Sequence, residues 1–561
     1  MTPPQKWHIV SLDKKRVEEI QKKYNFSLNF SKVLVEMGIE TEGEIKKLLS
    51  PGIEYLHPAS LLPDIETGFE RIRKAIKDGE RILIWGDEDT DGITATVFLF
   101  ELLRNLNARV FYHIPSRRDE GIGLNIPGIK KAHKMGCTLI ITVDCSSSDW
   151  DKIMVAKKTG IDVVVTDHHE VLMEGKKDFP LINPKRNDSS YPYCNIAGVT
   201  VAFKLGWFIT KELLALNNKE WESVVKDWYP LIFLGTYADR VPLKDENWIL
   251  SNLGYKSLRK TKRMGIRILT EMLCKETNCD EEMIQRMISV LSTAKTKGWG
   301  ENVGFRILTE KNEDYLNKTI SQLIQQSEEW HSIANENFRR IFTSIDENTK
   351  KRIIFVYEPK VPFDYLGFCA SRLKERFNRP VIITADKDNY TIGEARAPQG
   401  FNIHKILSKQ SHLFLSFGGH KPACGFKMKR ENLDTLRKLL IQDFPEMSDE
   451  DEKSREMRIV DILPLEKLTK KVKDEITLLS PFGSGNSPPL FLAQNVSLFK
   501  GVYTYVNPET GESKRIEMKS DCQTWVGLDG KPVTLDIVYF INSAGVPTIA
   551  DTRPSLFNEP M

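Results

Sequence analysis

Four short stretches of the chain bring carboxylates and imidazoles together in patterns that could hold a divalent cation. In GDEDTDG, Asp87, Asp89 and Asp91 alternate just after an apolar run, Ile82-Leu83-Ile84-Trp85. Three carboxylates this close repel one another, and a divalent cation offsets the repulsion with positive charge. The bland alternative is an acidic turn capping a helix. A calcium EF-hand loop is excluded, because no Glu stands six residues after Gly92 and a strand, not a helix, precedes the acids. The other stretches end in Asp144, in Asp167-His168-His169 and in Ala238-Asp239. Hard carboxylate oxygens with one or two imidazoles suit Mn²⁺ or Mg²⁺, and the dominance of carboxylates argues against a thiolate zinc site. Two such ions, about 3.5–4 Å apart, can activate a water and stabilise the leaving oxygen of a phosphoester. A carboxylate between the strands can bridge both ions, and Asp144, from the middle of the set, is expected to do so.

The surrounding pattern predicts how these groups are positioned. Ile82–Trp85, Val110–His113, Thr138–Val143 and Ile161–Val165 read as strands. Thr94–Leu103, Ile129–Lys134 and Trp150–Thr159 read as helices. Strand and helix alternating in this rhythm imply a parallel sheet with right-handed crossovers. The acids and histidines then fall at the C-terminal ends of strands, the edge at which open parallel sheets bind ligands. Leu231–Tyr237 is a further apolar run, and with Asp239 behind it is read as a fourth strand end. Any one cap could be bland; convergence of four on one edge makes a metal site the expectation.

The chain has 561 residues, enough for roughly three to four domains at ~150 residues each. Hydrophobic residues make up 40% and charged residues 28%, ordinary values for a globular protein. Between Lys351 and Leu440 stand 17 Lys/Arg against 8 Asp/Glu, a local +9 in a chain whose net charge is +3. A basic domain on an otherwise near-neutral chain suggests a polyanionic partner. The eight cysteines form no CxxC pair, which suits reduced thiols in a cytoplasmic protein. Met1–Phe30 lacks the apolar core of a signal peptide, and no apolar run reaches membrane-spanning length.

The expected organisation follows. Residues 1–80 are a helical preface, with helical spacing over Val17–Tyr24 and Ser31–Leu49 and an amphipathic helix over Ile65–Asp78. Residues 81–244 are the catalytic core. Residues 245–350 are helical and end in a long polar helix from Gln322 to about Ile341. Residues 351–445 return to mixed α/β, Pro445–Glu456 is an acidic linker, and 458–561 carries short β-rich runs such as Val533–Ile541, consistent with a small barrel.

At this level the motifs resemble a known family. GDEDTDG, TVDCS, TDHHE and GTYADRVPL resemble, in order, the first four motifs of the DHH phosphoesterases. FGGHKPACGF resembles the glycine-histidine motif of the accompanying domain, and SPFGSGNSPPLF a motif of the C-terminal oligonucleotide-binding barrel of RecJ-type nucleases. The preface, from Trp7 through LHPASLLPDIETGFERIRKAIKDGE, is similar to the start of the same nucleases. The resemblance implies an α/β fold: a parallel-sheet DHH catalytic domain, a long connecting helix, a smaller α/β DHHA1-like domain and an OB-like β-barrel. It implies a metal-dependent 5′→3′ exonuclease that degrades single-stranded DNA to mononucleotides in repair or recombination. The expected partners are single-stranded DNA and a single-stranded-DNA-binding protein or helicase, with the chain itself a monomer.

By position in those motifs, Asp89, Asp91, Asp144, His168 and Asp239 match metal ligands, Asp87 and His169 stand beside them, and Asp167 would orient an imidazole. Arg117, Glu120, Gly121 and Gly123 resemble a substrate-side loop. Ser371, Arg372, Arg396, Gly418, Gly419 and His420 fall where the second domain would meet nucleotide and phosphate.

The chain departs from the family pattern at several positions. Glu88 stands where the family has an aromatic or other residue and adds a fourth acid; Trp85 stands where some relatives use a histidine ligand; Ser146 stands where the pattern has glycine. The motif expected near residue 295 is absent, with Lys295 and Lys297 as substitutes. Glu394 takes a serine position, where a carboxylate beside a phosphate is repulsive unless Lys295, Lys297 or Arg396 pairs with it first. Two other functions compete. A phosphodiesterase of short oligonucleotides or small nucleotides would need neither the barrel nor the basic domain, and a non-catalytic scaffold would not keep the metal ligands.

Overall fold

The strands that carry the acids form one parallel sheet. In the computed structural model its order is Arg109–His113, Arg81–Trp85, Cys137–Val143, Asp162–Thr166 and Leu181–Ile182. The structure describes residues 6–171, 178–274, 280–345, 353–398, 401–443, 456–499, 502–506, 513–517 and 534–554. The strands are apolar on both faces, as a covered parallel sheet requires. Ile82, Ile84, Ile141 and Val164 enter one core, and Leu83, Trp85, Ile140 and Val165 enter the other. Register pairs Trp85 with Thr142 and Val143 with Thr166, so the residues that follow each strand emerge at the same edge.

One expectation is overturned. Leu231–Tyr237 is not a strand but part of a buried helix, Tyr229–Ala238, with Pro230 in its first turn. A short run that is apolar on every side suits a buried helix as well as a buried strand, and hydropathy alone does not separate them. Proline in the first helical turn was the available signal.

The chain divides into two units, Ile9–Ile324 with Ile459–Met561, and Met1–His8 with Gln325–Arg458. In the first unit the preface forms four α-helices, Lys14–Tyr24, Leu28–Glu36, Glu42–Leu49 and Ile65–Lys77. The third starts at a capping box between Thr41 and Glu44, which breaks the stretch expected to run unbroken to Leu49. Phe30, Val33, Leu34 and Ile45 from these helices share a core with Phe482, Phe491, Ile537 and Tyr539. The C-terminal strands pair as a branched sheet: Leu490–Phe499 lies parallel to Met457–Ile462 and antiparallel to Thr534–Ile541, which pairs with Pro547–Pro554.

The second unit holds most of the long helix Glu313–Ser344, which starts nine residues before the expected Gln322. Its sheet runs Phe414–His420, Ala423–Lys429, Tyr390–Arg396, Val381–Lys387 and Ile354–Tyr357, antiparallel except for the last pair. The helix Leu366–Phe377 and the end of the long helix cover one face of this sheet, while Leu433–Asp443 covers the other. The acidic linker, apart from Glu456, lies outside the described residues. Among the described residues no helix is long and apolar enough to cross a membrane.

The shared core predicts cooperative loss. Phe30 is fully buried in it, so Phe30→Ala should cost about 3–5 kcal/mol. Hydrogen exchange should speed up both in the preface helices and at Leu535–Ile541. Protection at Leu535–Ile541 that stays at the wild-type level would mean that the two segments do not share their stability.

Candidate metal centre

Asp89 caps the helix Thr90–Asn105, its Oδ1 accepting from the Gly92 N–H at 3.0 Å, and this places Asp91 in the first turn. The Asp91 carboxylate in turn accepts two backbone N–H groups, Gly198 at 2.7 Å and Val199 at 2.9 Å. Both belong to the start of the helix Gly198–Leu214, whose free N–H groups and dipole favour an anion. Sequence reading missed this pair, because backbone donors have no side-chain signature. The one trace is Gly198 itself: a Cβ there would lie 2.4 Å from Asp144 Oδ1. Asp144 and Ser146 both adopt left-handed backbone, at φ 60° and 80°, a costly conformation for residues other than glycine and typical of functional sites.

Three ligand sets assemble at the sheet edge: Asp87, Asp89 and Asp144; Asp91, His168 and Asp239; Asp144, His168 and His169. Within each set the ligand atoms lie within 4.8 Å of one another. His168 Nε2 stands 3.1 Å from Asp144 Oδ1, 3.7 Å from Asp239 Oδ2 and 4.0 Å from Asp91 Oδ2. Yet among the described residues Asp144 Oδ1 and both ring nitrogens of His168 are buried without a hydrogen-bond partner. Each unpaired buried polar atom costs about 1–3 kcal/mol. A coordinated cation would satisfy them, and the donor set fits a hard divalent ion. Asp239 joins from the C-terminus of its helix rather than from a strand end. Asp167 Oδ1 lies 2.7 Å from His169 Nδ1, and its Oδ2 accepts from the Ser147 N–H at 2.9 Å. That contact orients the His169 ring.

The charges are strongly perturbed. Burial, then the neighbouring acids, push Asp91 and Asp144 well above the usual carboxylate range and Asp239 up to about 7. Asp87 is also raised, by burial and Asp89. Burial acts in the same direction on Asp89, but Arg117, the Gly92 N–H and His169 together outweigh it and hold that carboxyl low. Burial lowers His168 to about 3, whereas for His169 the attraction of Asp167 overcomes burial and raises it to about 9.

Two sequence expectations change here. Arg117, assigned to nucleic-acid binding, is ion-paired with Asp87 and, at 2.7 Å, with Asp89. It acts as an internal counter-ion to the acids. Glu88 does not join the acid cluster. Its carboxylate, on a residue only 4% exposed, accepts the backbone N–H of Arg117 at 3.0 Å and of Thr296 at 2.8 Å. Glu88 therefore ties together the two loops that carry Arg117 and Lys295–Lys297. Trp85 is buried and donates to the Gly123 carbonyl at 3.1 Å, and Glu120 meets His113 at 2.9 Å, so the loop expected on the substrate side is braced from within.

In the other unit, Arg396 Nη1 pairs with Glu394 Oε2 at 2.7 Å, one of the partners foreseen for that acid. The Arg372 guanidinium lies over the rings of Phe338 and Phe368 and bonds Asn335, one residue along its helix from Ser371. Gly418, Gly419 and His420 sit on a strand opposite Gly425, Cys424 and Ala423. Lys295 and Lys297 are exposed.

Comparison with known proteins agrees with this geometry. The DHH family, N-terminal domain, matches residues 81–236, and the DHHA1 domain matches residues 350–446. The chain is 28% identical over 501 residues to the single-stranded-DNA-specific exonuclease RecJ of Bacillus subtilis (strain 168), covering 88% of this chain and 62% of that protein. It therefore spans less than two thirds of that relative's length. It is 30% identical to the RecJ of Dickeya dadantii (strain 3937), over 72% of this chain and 73% of that one. The crystal structure of RecJ from Thermus thermophilus in complex with Mn²⁺ has the same fold, with a TM-score of 0.76 at 23% identity over 99% of this chain and 80% of that one.

The raised carboxyls predict proton-linked metal binding. Without metal, Asp239 holds a proton up to about pH 7, and Asp91 and Asp144 hold theirs beyond the usual carboxylate range. A cation must displace these protons, so Mn²⁺ affinity should rise from pH 6 to pH 8 and binding should release protons. Calorimetry in buffers of different ionisation enthalpy measures the release; zero release with flat affinity would contradict it.

Proposed function

Because the chain belongs to the RecJ family of single-stranded-DNA-specific exonucleases, we propose that it hydrolyses single-stranded DNA from the 5′ end to mononucleotides. Mn²⁺ or Mg²⁺ serves as cofactor. The observation that carries the reading is the trio of ligand sets meeting at Asp144 and His168, with buried atoms that lack any other partner.

Asp87, Asp89 and Asp144 would hold one ion, and Asp91, His168 and Asp239 the other, with Asp144 as bridge and His169 beside it. A pair of ions so held lowers the pKa of a water and stabilises the leaving oxygen of a phosphodiester. The protein fixes the geometry: the helix N-terminus at Gly198 holds Asp91, and Asp167 holds His169. Arg117 neutralises Asp87 and Asp89 in the metal-free protein. With cations held by these acids, the Arg117 guanidinium would be available to a substrate phosphate, the nucleic-acid role first expected of it.

Residues 81–244 are then the catalytic core, 351–445 the DHHA1-like nucleic-acid-binding domain and 458–561 an OB-like domain. A groove of about 890 Å³ in the second unit supports a grip on single strands. Phe338, Phe342, Arg339, Arg372 and Arg376 line it, and the Arg376 guanidinium lies 4.3 Å from the Phe342 ring centroid. Arginines stacked on aromatic rings keep their N–H edges free for phosphates. Ser371, Arg396 and the Gly418–His420 strand belong to the same unit, which carries the basic surplus of the chain. The reading places the enzyme in the cytoplasm as a monomer. It acts in DNA repair and recombination, beside a helicase or single-stranded-DNA-binding protein.

Degradation of 5′- and 3′-labelled single strands with Mn²⁺ or Mg²⁺ and a ribonucleotide control tests the activity. Release of label first from the 5′ end is expected, and Asp144→Asn should abolish it and weaken Mn²⁺ binding by more than one site. Activity of that variant within a few-fold of wild type would remove Asp144 from the site. The Glu394–Arg396 pair makes a second prediction, since Arg396 is already shared with a carboxylate. Strands ending in 5′-hydroxyl and 5′-phosphate should be degraded at similar rates. Glu394→Ser should raise the preference for phosphate, and Arg396→Ala should slow both. A wild-type preference for phosphate of roughly tenfold or more, about 1.4 kcal/mol, contradicts this.

A further inference from the structure

The loop Leu479–Asn486 belongs to the motif that resembles part of an oligonucleotide-binding barrel, and such a loop would be expected to face substrate. In the structure it faces protein, and what it touches is the chain on both sides of Asp239. Before Asp239, the Tyr237 hydroxyl donates to the Phe482 carbonyl at 2.9 Å. After it, the Leu243 N–H donates to the Ser484 carbonyl at 2.6 Å. The next helix adds Trp248 Nε1 to the Leu479 carbonyl at 3.2 Å and Asn252 Nδ2 to the Ser480 carbonyl at 2.6 Å. Gly483 is needed for the fit, because a Cβ there would lie 2.9 Å from Leu243 Cδ1 and 3.1 Å from Tyr237 Cε2.

Resting on the reading of Asp239 as a metal ligand, we infer that the loop Leu479–Asn486 is a buttress that positions Asp239, with Tyr237 and Gly483 as its positioning residues. Three observations lead there. Asp91, Asp89 and Asp167 are held by backbone N–H donors, but among the described residues no hydrogen bond reaches the Asp239 carboxylate. Its side chain is also the more exposed partner of the His168 contact, 28% against 5%. Apart from its 3.7 Å contact with His168, the direction of this ligand therefore depends on its backbone, at a helix end followed by Arg240 in left-handed conformation. The loop is itself rigid enough to set that backbone: Gly483 and Asn486 exchange backbone hydrogen bonds at 3.0 and 3.1 Å, and buried Asn486 donates to the Leu479 and Pro481 carbonyls, both at 2.9 Å. Ligand geometry is sensitive to such supporting contacts, whose loss typically weakens metal binding by about 10–100-fold.

Calorimetric titration of the full-length protein with MnCl₂ tests the inference on Tyr237→Phe and Gly483→Val. Both variants should lose affinity about tenfold at one of two Mn²⁺ sites. Hydrolysis of a short single strand should fall in parallel at limiting Mn²⁺ and recover at saturating Mn²⁺, which a general loss of fold would not allow. If Gly483→Val fails to fold, Tyr237→Phe, which lacks a single oxygen, carries the test. Mn²⁺ isotherms of the folded variants that match wild type would overturn the inference. Weaker binding of long strands alongside such isotherms would assign the loop to substrate instead. A wild-type protein without Mn²⁺-dependent hydrolysis would sink the proposed function but leave the comparison of isotherms intact.

Discussion

Like-charge repulsion inside a buried site is the constraint on which the rest of this structure depends. Asp87, Asp91 and Asp144 are almost wholly removed from water, and their neighbours are one another. An ionised carboxylate in such a place is tolerated only with a partner. The protein supplies partners to some of them. Arg117 neutralises Asp87 and Asp89, and two backbone N–H groups face Asp91. Among the described residues, Asp144 Oδ1 and both nitrogens of His168 have no hydrogen-bond partner. The deficit lies at the centre of the cluster, which is where a cation has the most groups to bind.

This constraint shapes the second layer of contacts. Gly198 lets a helix end come up against Asp144, and Ser146 accepts a left-handed backbone on the other side. Such local costs are stable only when a large core surrounds them. That core is present: the parallel sheet is buried on both faces, and the helices carrying Asp91, Gly198 and Asp239 pack into one of its two layers. The preface helices and the C-terminal strands add a further core to the same unit.

The legible part of the site was the part written in side chains on regular elements. Asp87, Asp144 and Asp167 follow strands whose apolar runs are unmistakable, and parallel register carries all three to one edge. Asp239 was legible as a group but not in its origin, because Leu231–Tyr237 is apolar in every direction. The hairpin of Phe414–His420 and Ala423–Lys429 was not foreseen as strands, since FGGHKPACGF is rich in the residues that usually interrupt them. Gly198 and Val199 were invisible for a different reason: what they contribute is amide hydrogens, which every residue but proline has.

Glu88 shows how a departure in sequence becomes intelligible only in three dimensions. Read along the chain, it is a fourth acid in an already crowded run and should worsen the repulsion. In space it turns away, and its two oxygens accept the N–H groups of Arg117 and Thr296. Thr296 lies in the segment that replaces the expected motif near residue 295, so the two departures from the family pattern meet in one hydrogen-bonded contact. An aromatic side chain at position 88 could accept neither N–H, and the Thr296 loop would be left with the bond from its hydroxyl to the Ile114 carbonyl. The acid at 88 and the lysine-bearing loop are thus one local solution. The loop in place of the motif expected near residue 295 is fastened to the turn that carries Asp87, Asp89 and Asp91.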